Sequence, residues 1–476
     1  MKVLYASWEL DPYIKLGGLG DVARSLPAAL GKNGVDIKNV MPFYKAVKID
    51  KKNLVKTGEL EVEYDGRSER VIIYETINPT NRIPLFLLQN RKYLSFADSQ
   101  NNFAFFAKAI VEIIRQKTIA WIPDIIHCND HHLGLLPLLV RHNKLKVKTI
   151  LTIHNLSYQG HAPIAVIEKL GLKTSHCRPH AWEIKSRQLN FLLEGIIHAD
   201  VINTVSPTYA REIMREEFGM GLEDILRGKE GRVFGILNGI DKEYNNLLHY
   251  QALDYPFLSG IAGGSKKLYS WQEGKKHNKA HLQEKMKLKI DSDIPIFAFI
   301  GRFDAQQKGI DILHKLIRRG AYEKYQFVIL GNGNSDWEER YAWLSKFYPE
   351  SVSCNFLFDP HLAHLIYAGA DFILIPSRFE PCGLIQMIAM TSGTLPIAHK
   401  TGGLADSIKN GRNGFLFENY TSESLGMMID KAVDIQKNDR AKYEEMVSTA
   451  MRTDFSWDKS AREYIGLYDK LYLGEY

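Results

Sequence analysis

The sequence predicts an α/β fold made of two Rossmann-like, doubly wound domains facing a central cleft. Three observations carry that expectation. A chain of 476 residues exceeds what one hydrophobic core accommodates and suits two or three domains. Short apolar runs alternate with helical periodicity in both halves, as in parallel sheets covered by helices. Between the halves the character of the chain changes to an irregular stretch.

In order, an apolar strand over Val3–Ser7 enters a glycine-rich turn, then a helix with Val22, Leu26, Ala29 and Leu30 at helical spacing. A strand at Ile125–Cys128, a helix over Leu133–Val140 and a strand at Thr149–Ile153 repeat the pattern, so residues 1–240 read as the first domain. Residues 241–293, containing GIAGGSKK and a lysine-rich helical run, read as an irregular linker or insertion. Residues 294–456 repeat the alternation: IFAFIG, a helix from Ile310, YQFVILG, a helix from Trp337, DFILIP, and a helix from Pro381. The last segment, 457–476, carries Tyr464, Leu467, Tyr468 and Leu471 on one helical face and is expected to pack back on the first domain.

Hydrophobic residues make up 45% of the chain and charged residues 24%, which argues against general disorder. The net charge of +6 is small for this length and no Lys/Arg run dominates, so a nucleic-acid partner is not indicated. Cys128, Cys177, Cys354 and Cys382 form no CxxC pair, pointing to a reducing compartment and away from disulfides and zinc. A metal site at His176, Cys177 and His180 is disfavoured because closed sites need four placed ligands. With acids at Glu9 and Asp11, the N-terminus does not resemble a signal peptide. Its apolar stretches fall short of the ~18 residues of a membrane span. The expectation is a cytoplasmic protein, or a plastid-stroma one if the chain is the mature form of a plant-type protein.

Lys15-Leu16-Gly17-Gly18-Leu19-Gly20-Asp21 follows the first strand and opens the first helix, where backbone N–H groups and the helix dipole favour an anion. It lacks the spacing of a Walker loop or of the dinucleotide fingerprint, and a plain structural turn is the competing reading. Arg302 and Lys308 flank the turn after IFAFIG, at the carboxyl end of a strand where such sheets bind ligands. The alternative is a pair of solvated surface charges. In SRFEPCGL, Pro381 at a first helical position would free the amides of Cys382, Gly383 and Leu384 to bind oxygens. Glu380 would then sit at the helix start, where the dipole favours its ionised form, unless it is simply a capping acid. His127, Asn129, Asp130, His131 and His132 end one strand and His154 and Asn155 the next, gathering polar groups suited to a polyol.

The ordered set KLGGLGDV, the HN of LTIHNLSYQG, TVSPTYAREI, LNGID, GRFDAQQKGID, YAGADFILIPSRFEPCGL and KTGGLADSI closely resembles the bacterial glycogen synthase and plant starch synthase family. The resemblance extends from Met1 to WDKSAREYIGLYDKL. It implies a GT-B fold and glucosyl transfer from ADP-glucose to the non-reducing 4-hydroxyl of an α-1,4-glucan (glycogen or starch), with retention of configuration and no metal or other cofactor. Nucleotide-sugar and glucan are the implied partners, with no nucleic acid or membrane. By position, Lys15, Gly17 and Gly18 would contact the distal phosphate and glucose, with Asp21 beside them, and Arg302 and Lys308 the diphosphate. His154 and Glu380 would hold the transferring glucose, Asp130 and Asn238 would lie nearby, and Phe358 would stack on the base.

Some positions depart from the family pattern. One extra residue separates Arg302 from Lys308, Ile388 stands where relatives often carry Tyr or Glu, and Leu193-Glu194 replaces a usual lysine. UDP-glucose is the alternative donor. A glucan phosphorylase would need a lysine-bound pyridoxal phosphate, for which no motif is evident. A non-catalytic glucan-binding homologue is the non-enzyme alternative, opposed by the joint presence of Lys15, His154, Arg302, Lys308 and Glu380.

Overall fold

Strands apolar on both faces belong inside a sheet covered by helices on both sides. In the computed structural model, which describes residues 1–15, 17–96, 99–177, 187–258 and 265–476, such strands form two sheets. The chain divides into unit 1, Met1–Gly239 with Trp457–Tyr476, and unit 2, Ile240–Ser456. Among the described residues no helix is long and apolar enough to cross a membrane.

Unit 1 is centred on β1 (Lys2–Ala6), flanked by β2 (Asp36–Pro42) on one side and β6 (Ile125–Asn129) on the other, both parallel to it. Beyond β6 lie β7 (Lys148–Ile153), β10 (Val201–Thr204) and β11 (Val233–Gly235), all parallel, while β8 (His161–Pro163) and β9 (Gln188–Asn190) pair antiparallel as a small separate sheet. Beyond β2 lies β5 (Pro84–Gln89), followed by the antiparallel β4 (Arg67–Ile77) and β3 (Val55–Tyr64). This antiparallel edge was not anticipated from the sequence. Its hairpin turns at Asp65 and Gly66, both with positive φ (56° and 67°), as a tight two-residue connection requires. The outer half of β3 alternates between exposed and buried residues. Strand order reverses at β1, between β2 and β6, which places the switch point where β1 and β6 end.

The helix Trp457–Leu473 buries Trp457, Tyr464, Leu467, Tyr468 and Leu471 within unit 1. Its two tyrosine hydroxyls reach polar side chains of the sheet: Asn203 Nδ2 donates to Tyr464 Oη (2.8 Å), and His127 Nδ1 lies 2.7 Å from Tyr468 Oη. His127 also meets Thr152 Oγ1 at 2.7 Å and is fully buried. It therefore pins the terminal helix to the sheet and does not join the polyol-facing polar cluster expected from the sequence.

Unit 2 holds a six-stranded parallel sheet in the order β14 (Val352–Asn355), β13 (Gln326–Leu330), β12 (Ile296–Ile300), β15 (Phe372–Ile375), β16 (Leu395–His399), β17 (Phe415–Phe417). Numbered from β12 this is 3-2-1-4-5-6, the doubly wound order, with its switch point between β12 and β15. The segment expected as an irregular linker carries two helices, Lys242–Ala252 and Trp271–Lys285. Leu253, Phe257, Leu282, Met286 and Leu288 join the core formed with Ile296, Val328 and Ile366. Burial of those side chains makes residues 241–293 part of unit 2; residues 259–264 of the glycine-rich stretch lie outside the described chain.

Candidate active site

Each unit gathers its motif residues where its sheet order reverses. In unit 1, the helix Gly18–Lys32 begins right after the first loop, with Gly17 as its N-cap. Leu16 lies outside the described residues. The amide of Gly17 donates to Glu9 Oε2 at 3.1 Å. An internal carboxylate thus occupies one N–H of the expected anion cradle, a group that sequence reasoning noted only as an acid. Lys15 Nζ pairs with Asp21 Oδ1 at 2.8 Å, so both charges of the KLGGLGD motif stand at the same helix start.

Asp130, the residue after β6, has φ 54° and ψ −173°, a region that side chains with a Cβ rarely adopt. Its backbone N–H donates to the Thr152 carbonyl (2.9 Å) and its Oδ1 accepts from the His154 amide (2.7 Å). The two strand-end loops are thereby tied together. Burial pushes the Asp130 carboxyl up to about 7, against the opposing effect of the His154 and Asn155 amides. Burial holds His154 down to about 3, so its ring is neutral. His154 Nε2 lies 2.9 Å from Asn129 Oδ1. Asn238, beyond β11, is buried, and its Oδ1 has no hydrogen-bond partner among the described residues.

In unit 2, the loop after β12 carries Arg302 and Lys308 and the loop after β15 carries Glu380. Lys308 Nζ lies 2.7 Å from Glu380 Oε2, and Ser377 Oγ donates to the same oxygen at 2.9 Å. The backbone holds the loops in register: the Arg378 amide donates to the Gln307 carbonyl at 2.8 Å. Gly309, with φ 69°, lies so close that an added Cβ would overlap the Pro376 carbonyl oxygen. Arg302 is half exposed, with Nη2 donating to Gln307 Oε1 at 3.0 Å.

The helix expected from Pro381 begins instead at Ile385, with Leu384 as N-cap. Gly383 has φ 70°, a left-handed turn that keeps Pro381–Leu384 out of the helix. Glu380 therefore owes its position to Lys308 and Ser377, not to a helix dipole. Below it, the Gly403 amide donates to the Glu380 carbonyl at 3.0 Å, and Gly402 takes φ 43° against the same oxygen. Cys382 is buried and unbridged, and its carbonyl accepts from Gln386 Nε2 at 3.1 Å. Phe358 stands 81% exposed in the loop after β14, just before the helix Pro360–Gly369. That exposure suits a ring that meets a ligand face and contributes nothing to the core.

Among the described residues no group of three or more His, Cys, Asp or Glu is placed to hold a metal ion. His180, which the sequence sets near His176 and Cys177, lies outside those residues.

Comparison with known proteins gives one answer along the chain. Residues 2–228 match the family described as starch synthase catalytic domain, and residues 282–450 match glycosyl transferases group 1. A glycogen synthase of Kosmotoga olearia is 39% identical, covering 98% of this chain and 97% of its own length. One from Geotalea daltonii is 36% identical, with 98% of each covered. Among solved structures, the catalytic domain of starch synthase IV from Arabidopsis thaliana, bound to ADP and acarbose, superposes with a TM-score of 0.85 at 30% identity over 99% of each chain. A sucrose-phosphate synthase from Thermosynechococcus elongatus, at 19% identity and TM-score 0.61, shares the fold.

Proposed function

We infer the reaction from one premise: the chain belongs to the glycogen and starch synthase family, with the GT-B fold of those glycosyltransferases. It is a hexosyltransferase that moves glucose from a nucleotide-sugar donor to an α-glucan. The donor is ADP-glucose and the acceptor the non-reducing 4-hydroxyl of an α-1,4-glucan; the starch synthase IV neighbour was solved with ADP and acarbose. The observation that carries the reading is the Lys308–Glu380–Ser377 constellation at the switch point of unit 2, with Arg302 on the same loop as Lys308.

Departure of ADP leaves an oxocarbenium-like sugar and places negative charge on the diphosphate. Arg302 and Lys308, fixed before the reaction, stabilise that charge more in the transition state than in the ground state. They take the part that a metal ion plays elsewhere, so the reaction needs none. Lys15 and the amide of Gly18 face the distal phosphate and glucose, with the N-cap Gly17 held by Glu9 and Asp21 holding the Lys15 ammonium. His154 and Glu380 hold the transferring sugar. Asp130 and Asn238 accept hydroxyls, the latter through its unpartnered Oδ1. The segment Cys382-Gly383-Leu384 borders the donor, and Phe358 stacks on the base.

Retention follows from attack on the face that the leaving group vacates. The acceptor's 4-oxygen forms its bond to C1 as the C1–phosphate oxygen bond breaks, and the hydroxyl proton passes to the departing phosphate. The test is the linkage of newly added glucose. Label incorporated into glycogen is expected to be released by an amylase that cleaves only α-1,4 bonds; label that resists it contradicts the assignment.

A further inference from the structure

The last residue of β6, Asn129, is fully buried, and one of its partners has a fixed hydrogen-bonding role. Its Nδ2 lies 2.9 Å from the carbonyl oxygen of Ala6, a group that can only accept, which fixes which end of the amide is nitrogen. Its Oδ1 is then the end that meets Tyr5 Oη at 3.0 Å and His154 Nε2 at 2.9 Å. Tyr5 is fully buried and its phenol is pushed well above the ordinary value by that burial, so it keeps its proton and donates. An amide oxygen accepts, so the nitrogen of His154 that faces it must carry hydrogen.

We propose that Asn129 is a positioning residue: it locks His154 as the Nε2–H tautomer, so that Nδ1 keeps its lone pair and meets the sugar as an acceptor only. The inference rests on the reading that His154 contacts the transferring glucose. It adds a direction to that contact. A sugar hydroxyl has to donate to His154, and a substituent that only accepts, such as fluorine, is rejected at that position. Selectivity of this kind is strong because the mismatched group leaves a desolvated nitrogen unpaired. Ala6, Tyr5 and Asn129 are residues of adjacent strands, so the tautomer is set by the sheet of unit 1 and not by the loop that carries His154.

Among the described residues, the charged and titratable groups around His154 include Asp130, whose Oδ1 accepts from the His154 amide, Tyr5 on the same Asn129 oxygen, and His127 and His132. Asp130 titrates near 7, so its contribution has to be read from the wild-type profile before any change is assigned to His154.

The experiment pairs a direct with a kinetic reading on the full chain. In 15N-histidine-labelled protein, the His154 signal is identified by its loss in His154→Gln, and its two nitrogens are expected at the shifts of a protonated Nε2 and a bare Nδ1. Asn129→Asp keeps an oxygen facing Nε2 but replaces a neutral acceptor by an anion, which stabilises the imidazolium and turns Nδ1 into a donor. That variant is expected to lose kcat/KM by about 10-fold or more at pH 6 relative to pH 8, beyond any change in wild type over the same range. Tyr5→Phe, which removes only the second donor to Oδ1, is expected to leave the tautomer as it is. A protonated Nδ1 in wild type overturns the assignment whether or not the protein transfers glucose. A pH profile for Asn129→Asp parallel to wild type overturns the positioning role, because a merely structural asparagine behaves that way. Absence of transfer by wild type would instead remove the functional reading and leave the tautomer measurement standing.

Discussion

Lys308 and Glu380, 72 residues apart in sequence, meet at 2.7 Å where the loops after β12 and β15 converge. Their side chains are largely buried, so water screens the pair less than it would at the surface. The pairing gives the carboxylate a fixed orientation through Lys308 and Ser377 together. It also means that removing either partner disturbs the other.

Glu380→Ala is therefore expected to lower kcat by at least about 100-fold, roughly 2.7 kcal/mol of transition-state stabilisation. Lys308→Ala is expected to cost a similar factor, and the double variant little more than either alone, because the two act as a unit. Steady-state kinetics on the three variants measure this. Near-normal turnover of Glu380→Ala, or fully additive losses, would contradict it.

Phe358→Ala is expected to raise the donor KM several-fold while kcat changes less, since stacking on a base binds ground and transition states alike. Thermal stability should hold, because the ring is 81% exposed. An unchanged donor KM removes the stacking role.

Gly402→Ala is expected to abolish activity with unit 1 still folded. The residue has φ 43°, and its missing Cβ leaves room for the Glu380 carbonyl oxygen. A side chain there has to push away the backbone that carries Glu380. Activity assays alongside thermal unfolding check it, and wild-type kcat in the variant would show that the Glu380 loop is set by other contacts.

The architecture was legible where one residue pattern has one physical solution. Apolar runs such as Ile296–Ile300, set off by glycine turns and helical spacing, can be satisfied only inside a helix-covered parallel sheet. The loops that carry Arg302, Lys308 and Glu380 were legible for the same reason, since they follow those strands. What the sequence hid depends on long-range approach. Nothing local shows that Gly383 and Gly402 take positive φ, so the helix seemed to start at Pro381 instead of Ile385. Glu9 reads as an ordinary acid until the fold sets it on the Gly17 amide, and Asn129 as one of several polar strand-end residues until Ala6 and Tyr5 orient its amide. His127 shared that run but was claimed by Tyr468, 341 residues away. The hairpin of β3 and β4 does carry a local signal, its Asp-Gly turn between the two strands.

Stability is expected to fall as pH drops below about 6.5. Burial holds His127, His154 and His249 down to about 3, so each stays neutral in the folded chain while the unfolded chain takes up protons from about 6.5 downward. The stabilisation is complete above that value and is lost progressively from pH 6.5 towards 3. His249 is fully buried with neither ring nitrogen hydrogen-bonded among the described residues. His249→Leu should accordingly flatten the decline of the thermal midpoint between pH 7 and pH 5. An equally steep decline in the variant would place the acid sensitivity elsewhere.

The most direct test of the whole account is transfer of labelled glucose to glycogen from ADP-glucose and from UDP-glucose in parallel, each in the presence of EDTA. Incorporation from ADP-glucose, undiminished by the chelator and in excess of that from UDP-glucose, is the predicted result. Incorporation from neither donor, from UDP-glucose alone, or only when EDTA is omitted would contradict the reaction, the donor or the metal-free mechanism respectively.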